Sequence, residues 1–316
     1  MKNAGKDVEM MKKWLRIVGT ATAIAAGAGY YLSQRILYMR KKDEQLIYER
    51  EVKAKRLHPA AYHELPKEEV WVTSPLGYRI KTLFVRPNPG KKYVIFSHGV
   101  TENKMNSIKY MNLFLKYGFN AVLYDHARHG ESEGTKTSYG YYEKYDLQAV
   151  VNELIKQEGE EVIFGIHGES MGAATLLLYA GTLEDRADFY VADCPFSDFR
   201  RQVEHQMKRE IKIVPKWLVH LAEWAVILRG KFRLSEISPL EAVRHIQKPV
   251  LFIHSEQDDF ILPDMTQELY EQKPGPKQLF LAKKGTHAQS YNENPLEYEK
   301  AVEQFLLSHG LIKASS

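Results

Sequence analysis

Val162-Ile163-Phe164-Gly165-Ile166-His167-Gly168-Glu169-Ser170-Met171-Gly172-Ala173-Ala174 decides how the rest of the chain is read. An apolar, β-branched run enters a Gly-x-Ser-x-Gly turn, and a run of small residues fit for a helix leaves it. The pentapeptide alone is common, but strand, elbow and helix in succession give it meaning. The glycines allow a tight turn and close packing of neighbouring chains. Ser170 is then held out at a strand end, where a base can reach it and a carbonyl can approach.

A serine hydroxyl is a poor nucleophile at neutral pH and needs a histidine to take its proton. A carboxylate must in turn orient that histidine and stabilise the imidazolium. Both partners follow in the order nucleophile, acid, histidine. Pro249–His254 reads as a buried strand, followed by the loop Ser255-Glu256-Gln257-Asp258-Asp259. Gln278–Ala282 reads as another strand, which runs into Lys283-Lys284-Gly285-Thr286-His287. His287 is the expected base and Asp258 the expected acid, with Asp259 and Asp193 as rivals. His126 and His129 are spaced like a metal pair but lack a third ligand at fitting spacing, so no metal is expected.

An acyl-transfer site also needs donors for an oxyanion. Tyr93–Ser97 reads as a strand ending in His98-Gly99-Val100-Thr101. The amides of Val100 and Met171 are the expected pair, the second because it follows the nucleophile.

His98-Gly99-Val100, the run Asp125 to Ser132, Gly168-Glu169-Ser170-Met171-Gly172, His254…Asp258 and His287 resemble the ordered motifs of the α/β-hydrolase superfamily. Within it, the chain is similar to bacterial hydrolases grouped with serine aminopeptidases and acyl esterases, and most to membrane-anchored hydrolases of Bacillus type. The resemblance covers about residues 68–309. It implies a serine hydrolase acting on a small ester or amide through an acyl-enzyme, with no cofactor. Here Ser255 stands where that group usually has Gly, and the Pro expected after the acid loop is displaced to Pro263.

The remaining pattern agrees with an α/β class, a doubly wound, mostly parallel sheet. Val70–Thr73 and Tyr78–Val85 flank Ser74-Pro75-Leu76-Gly77 as a hairpin. Strands at 93–97, 120–124, 161–166, 189–193, 250–254 and 278–282 alternate with helices at 102–117, 141–158, 170–181, 262–273 and 295–309. The stretch 196–237 interrupts this alternation. Val214, Trp217, Leu218, Leu221, Trp224, Ala225 and Leu228 recur at helical spacing there. A helical cap over the site is expected, with Trp217 and Trp224 lining the substrate pocket. A helix merely packed on the sheet is the alternative.

The 316 residues suffice for one large domain plus an extension, and 44% hydrophobic residues is ordinary. The one cysteine, Cys194, excludes an intrachain disulfide framework and reads as a small buried residue near the site. The net charge of +4 is unevenly placed: residues 1–56 hold 13 Lys/Arg against 6 Asp/Glu. The excess flanks an uncharged run from Ile17 to Gln34, which points to membrane headgroups rather than nucleic acid. As helix that run would reach about 27 Å. The expectation is an uncleaved, single-pass transmembrane anchor, although Ala26-Gly27-Ala28 also resembles a signal-peptidase site. Gly19, Ala23 and Gly27 would permit close helix pairing. Basic residues balance on the two sides, so orientation is open. The expected divisions are residues 1–39 (basic segment and anchor), 40–67 (charged linker broken at Pro59 and Pro66) and 68–316 (hydrolase domain with the 196–237 insertion).

Overall fold

The structure is a computed structural model and describes residues 2–210 and 215–313, with side chains from residue 9 onward except that of Lys216. Its frame is one eight-stranded sheet: β1 (Lys67–Thr73), β2 (Arg79–Val85), β3 (Lys92–Ser97), β4 (Asn120–Tyr124), β5 (Ile163–Glu169), β6 (Phe189–Asp193), β7 (Val250–Ser255) and β8 (Lys277–Ala282). The spatial order is β1-β2-β4-β3-β5-β6-β7-β8. The expected hairpin pairs β1 and β2 in antiparallel register, with Thr73 opposite Arg79, and β2 joins β4 antiparallel. The remaining pairs are parallel.

Both faces of the sheet are covered, so its central strands are apolar on alternate residues in both directions. On β3, Tyr93 and Ile95 enter one core while Val94 and Phe96 enter the other. On β7, Val250 and Phe252 oppose Leu251 and Ile253 in the same way.

The helices in chain order are α1 (Lys2–Leu37), α2 (Glu44–Lys53), α3 (Pro59–Glu64), α4 (Ile108–Lys116), α5 (Glu143–Glu158), α6 (Met171–Thr182), α7 (Phe199–Glu210), α8 (Lys216–Gly230), α9 (Pro239–Ala242), α10 (Pro263–Gln272), α11 (Ser290–Glu293) and α12 (Pro295–Ser308). Helices α5, α6 and α10 cover the face of Ile95, and α2, α4 and α12 the opposite one. Pro59 opens α3 at its first turn instead of ending a helix, where its missing N–H costs nothing.

Two expectations about the N-terminal region need correction. Among the described residues, no helix is long and apolar enough to cross a membrane. Helix α1 has 36 residues, but Gly, Thr, Tyr, Ser and Gln dilute its apolar stretch. Its C-terminal end is moreover an integral contact surface. Gly29 faces Leu221 and Ala225 of α8 so closely that an added Cβ would lie 3.3 Å from the Leu221 side chain. Ser33 and Leu37, one and two turns on, are fully buried. The segment that follows is also sewn to the domain: Lys42 N–H donates to Thr101 O at 2.9 Å, and the Arg50 guanidinium grips Glu102 with two bonds.

Among the described residues, the stretch 196–237 between β6 and β7 carries the helices α7 and α8, and Val214 lies outside those residues. Helix α8 buries Val219, Ala222 and Val226. Trp217 and Trp224 lie on its other face, 61% and 65% exposed. They line neither cavity at the site, which corrects their assignment as substrate-binding residues. The apolar stripe was wide enough to leave its inward side undetermined, and packing against α1 and the cluster of Phe199, Val203 and Phe232 turned the tryptophans outward.

Candidate active site

Strand β5 runs three residues further than the hydrophobic run suggested and delivers Ser170 directly before α6. Ser170 has φ +55°, a left-handed conformation costly for a side-chain-bearing residue. Two glycines make the elbow possible. A Cβ on Gly172 would sit 1.9 Å from Ser97 O, and one on Gly168 2.4 Å from Gly172 O. The Ser170 amide donates to Asp193 O at 2.8 Å and ties the turn to β6.

The three expected residues meet, although they lie up to 117 positions apart in the chain. Ser170 Oγ is 2.8 Å from His287 Nε2, and His287 Nδ1 is 2.7 Å from Asp258 Oδ2. With Nδ1–H donated to the carboxylate, Nε2 is free to accept the serine proton. The rivals of Asp258 are occupied elsewhere. The Asp259 carboxylate is exposed and pairs with Arg209 at 3.0 Å. Asp193 accepts from Ser290 Oγ at 3.1 Å; burial, then the neighbouring Glu169 charge, pushes its carboxyl up to about 7.

Burial also disfavours charge on Asp258, but hydrogen bonds from His254 and His287 outweigh it and hold the carboxyl well below its usual range. Asp258 Oδ1 accepts the amides of Phe260 and Ile261 at 2.9 and 3.0 Å. These bonds keep it ionised and pointed, as an orienting acid must be.

Val100 and Met171 both border the space in front of Ser170, and neither amide is taken by another acceptor among the described hydrogen bonds. Two buried imidazoles brace the Val100 loop. His98 accepts the His126 amide at Nε2 and so directs its Nδ1–H to Gly99 O at 2.7 Å. His129 Nε2 accepts the Thr101 amide at 3.2 Å. Burial lowers His98 to about 4 and His129 to about 3, so both rings are neutral near pH 7. The thiol of Cys194 is fully buried, and burial pushes its pKa far up, away from a second nucleophile.

Two residues of the quoted motifs take roles that sequence reasoning did not assign. His254, at the end of β7, sets Nε2 3.1 Å from Asp258 Oδ2 and 2.9 Å from Ile261 O. Both are acceptors, so Nε2 carries a proton, and Nδ1 lies 2.6 Å from Thr266 Oγ1, whose hydroxyl also faces Pro195 O. Behind the nucleophile, buried Glu169 accepts from Asn106 at 2.9 Å, Tyr110 at 2.7 Å and Lys109 at 3.2 Å. A Glu inside the elbow pentapeptide, facing a Lys-Tyr pair some sixty residues earlier, was the only available signal.

Two cavities meet at Ser170. One, about 570 Å³, is lined by His287 and by the charged side chains Lys42, Arg50, Glu102, Lys109 and Arg209. The other, about 200 Å³, is mostly apolar and runs between α1 and α7. Such a site can transfer an acyl group to serine and then to water.

Comparison with known proteins agrees with this geometry. A family model described as serine aminopeptidase, S33, matches residues 88–238. The uncharacterized protein YqkD of Bacillus subtilis (strain 168) is 44% identical over 298 residues, 94% of this chain and 97% of that protein. The Pyrococcus furiosus esterase Pf2001 superposes with a TM-score of 0.65 at 25% identity, covering 79% of this chain and 93% of the esterase. The Pyrococcus horikoshii acylaminoacyl peptidase shares the fold, with a TM-score of 0.59 at 15% identity over 82% of this chain and 44% of its own.

Proposed function

The chain belongs to the α/β-hydrolase serine hydrolases, in one family with Bacillus YqkD, and on that premise we propose that it cleaves carboxylic esters through an acyl-enzyme formed on Ser170. The observation that carries the reading is the continuous line from Ser170 Oγ through His287 to Asp258, at 2.8 and 2.7 Å. Ser170 Oγ attacks the ester carbonyl as its proton passes to His287 Nε2. The oxyanion forms against the amides of Val100 and Met171. Collapse breaks the bond to the alkoxy oxygen, which takes the proton from Nε2 and departs as alcohol. Water then enters, loses a proton to Nε2, and attacks the acyl-serine. Its tetrahedral adduct releases the carboxylic acid and returns the proton to Ser170.

Amide or peptide cleavage uses the same residues and is the rival within this chemistry. Esters are favoured by the apolar cavity at the nucleophile, which suits an acyl chain, and by the likeness to an esterase at 25% identity. The purified chain, assayed against p-nitrophenyl esters and aminoacyl p-nitroanilides, is expected to prefer the esters. Faster turnover of the anilides sinks the ester reading. A fluorophosphonate probe that labels wild type but not Ser170→Ala distinguishes an enzyme from a non-catalytic module.

A lipid surface is a second proposed partner. It rests on the first half of α1, where exposed Met10, Met11, Trp14, Leu15, Ile17 and Val18 are interleaved with Lys12, Lys13 and Arg16. That combination suits a helix lying in an anionic headgroup layer. Co-flotation with vesicles containing phosphatidylglycerol, and loss of it on deleting residues 1–20, is the expected result. Flotation that persists without those residues places the contact elsewhere.

A further inference from the structure

We infer that the end of the N-terminal helix is a wall of the acyl compartment and sets the length of acyl chain the enzyme accepts. This rests on the ester-hydrolase reading and extends it to residues outside the matched 88–238 region.

Leu32 and Ile36 lie four residues apart and so share one face at the end of α1, and Met39 follows two residues beyond the helix. They form one side of the apolar cavity, and Phe199, Val203 and Met207 of α7 form the other. Ser170 and Met171 lie in the same lining, which puts the cavity on the nucleophile and one oxyanion donor.

The wall is held in place rather than loosely laid on. The Arg229 guanidinium donates to Ser33 Oγ at 2.7 Å and to Gln34 Oε1 at 2.8 Å. Arg35 forms a two-bond pair with Glu210 of α7, one bond at 2.7 Å. The Thr137 amide donates to Leu37 O at 2.9 Å, and Arg128 to Met39 O at 2.8 Å. A side chain on so fixed a backbone can measure a substrate.

The direction of the reaction decides which cavity takes which half. The departing alcohol receives its proton from His287 Nε2, so it leaves on the side that His287 lines. His287 borders the larger, charged cavity and is absent from the lining of the apolar one. The acyl chain therefore points the other way, between α1 and α7, where burial of each methylene favours binding. The charged cavity is left for a polar alcohol portion.

The test uses the full chain and p-nitrophenyl acetate, octanoate and dodecanoate. Ile36→Trp fills the cavity from α1 and Val203→Trp fills it from α7. Each is expected to lower the octanoate-to-acetate ratio of kcat/KM by about tenfold or more, since one methylene's fit can be worth that much. Acetate, whose acyl group ends close to Ser170, is expected to lose less turnover than octanoate. Leu32→Ala, which removes volume without adding bulk, raises the dodecanoate-to-octanoate ratio and carries the test if a tryptophan variant does not fold. Labelling of Ser170 by diisopropyl fluorophosphate is measured alongside. Variants that label like wild type with unchanged chain-length ratios overturn the wall while leaving the hydrolase reading intact. Wild type that neither labels nor cleaves esters overturns both.

Discussion

His254 Nε2 lies 3.1 Å from Asp258 Oδ2, the same oxygen that receives His287 Nδ1. The acid is therefore held by a buried ring at the end of β7, the strand that precedes its loop, before it orients the base. A hydrogen bond to an ionised group is worth about 1.5–3 kcal/mol. His254→Leu is expected to lower kcat roughly ten- to a hundredfold with little change in KM, because His254 does not touch substrate. A raised KM with normal kcat contradicts that role.

Asp258→Asn should lower kcat by about 10³–10⁴-fold, since an amide cannot hold the His287 tautomer or its developing charge. Asp259→Asn removes an exposed pair with Arg209 and should leave kcat within about twofold, exposed pairs contributing little. Steady-state kinetics on one soluble ester checks both. The reverse order of severity exchanges the two assignments.

Trp217→Ala and Trp224→Ala should each change stability by no more than about 0.5 kcal/mol and leave acyl preference as in wild type. Both rings are mostly exposed and away from the cavities. A flattened chain-length profile in either variant would falsify this placement.

Deleting residues 1–20 should preserve the thermal midpoint, and deleting 1–39 should lower it markedly. The longer deletion strips the fully buried Leu37 and Ser33 and the partners of Arg229 and Glu210. It also uncovers the apolar cluster of Phe199, Val226 and Phe232 that Leu37 packs within. Equal midpoints for the two deletions would show that the end of α1 contributes nothing to folding.

Stability should rise with pH from about 4 to about 6.5 and level off or fall above it. Burial lowers His98 to about 4, His129 and His167 to about 3, and His126 well below 6.5. Between these values and 6.5 the unfolded chain binds more protons at the four sites, so their contribution is lost as pH falls. Asp146 and Asp193 act oppositely, because burial raises both to about 7 and the folded state binds the extra proton. Four imidazoles outweigh two carboxyls below 6.5, and near 7 the two opposing contributions about cancel. Thermal midpoints across pH 4–8 check this, and a midpoint that declines steadily from pH 4 contradicts it.

The sequence alone was enough for the sheet, the elbow and the nucleophile, acid and base. These rest on local rules: alternating apolar residues make a strand buried on both faces, and glycines at two positions permit a turn that places Ser170 at φ +55°. His287 and Asp258 were legible because each follows a recognisable strand, so chain order stood in for distance. Tertiary structure alone decided how surfaces pair. Asp258 and Asp259 are adjacent and chemically alike, and only the packing of α7 shows that Asp259 turns to Arg209. The stripe on α8 was broad, and which side faced inward depended on α1 and α7, so the tryptophans could not be placed from spacing. The uncharged run in α1 matched a membrane span in length, yet its end is buried against α8 and borders the apolar cavity. A helix records in its periodicity that it has an apolar face; what covers that face is set by segments some two hundred residues away.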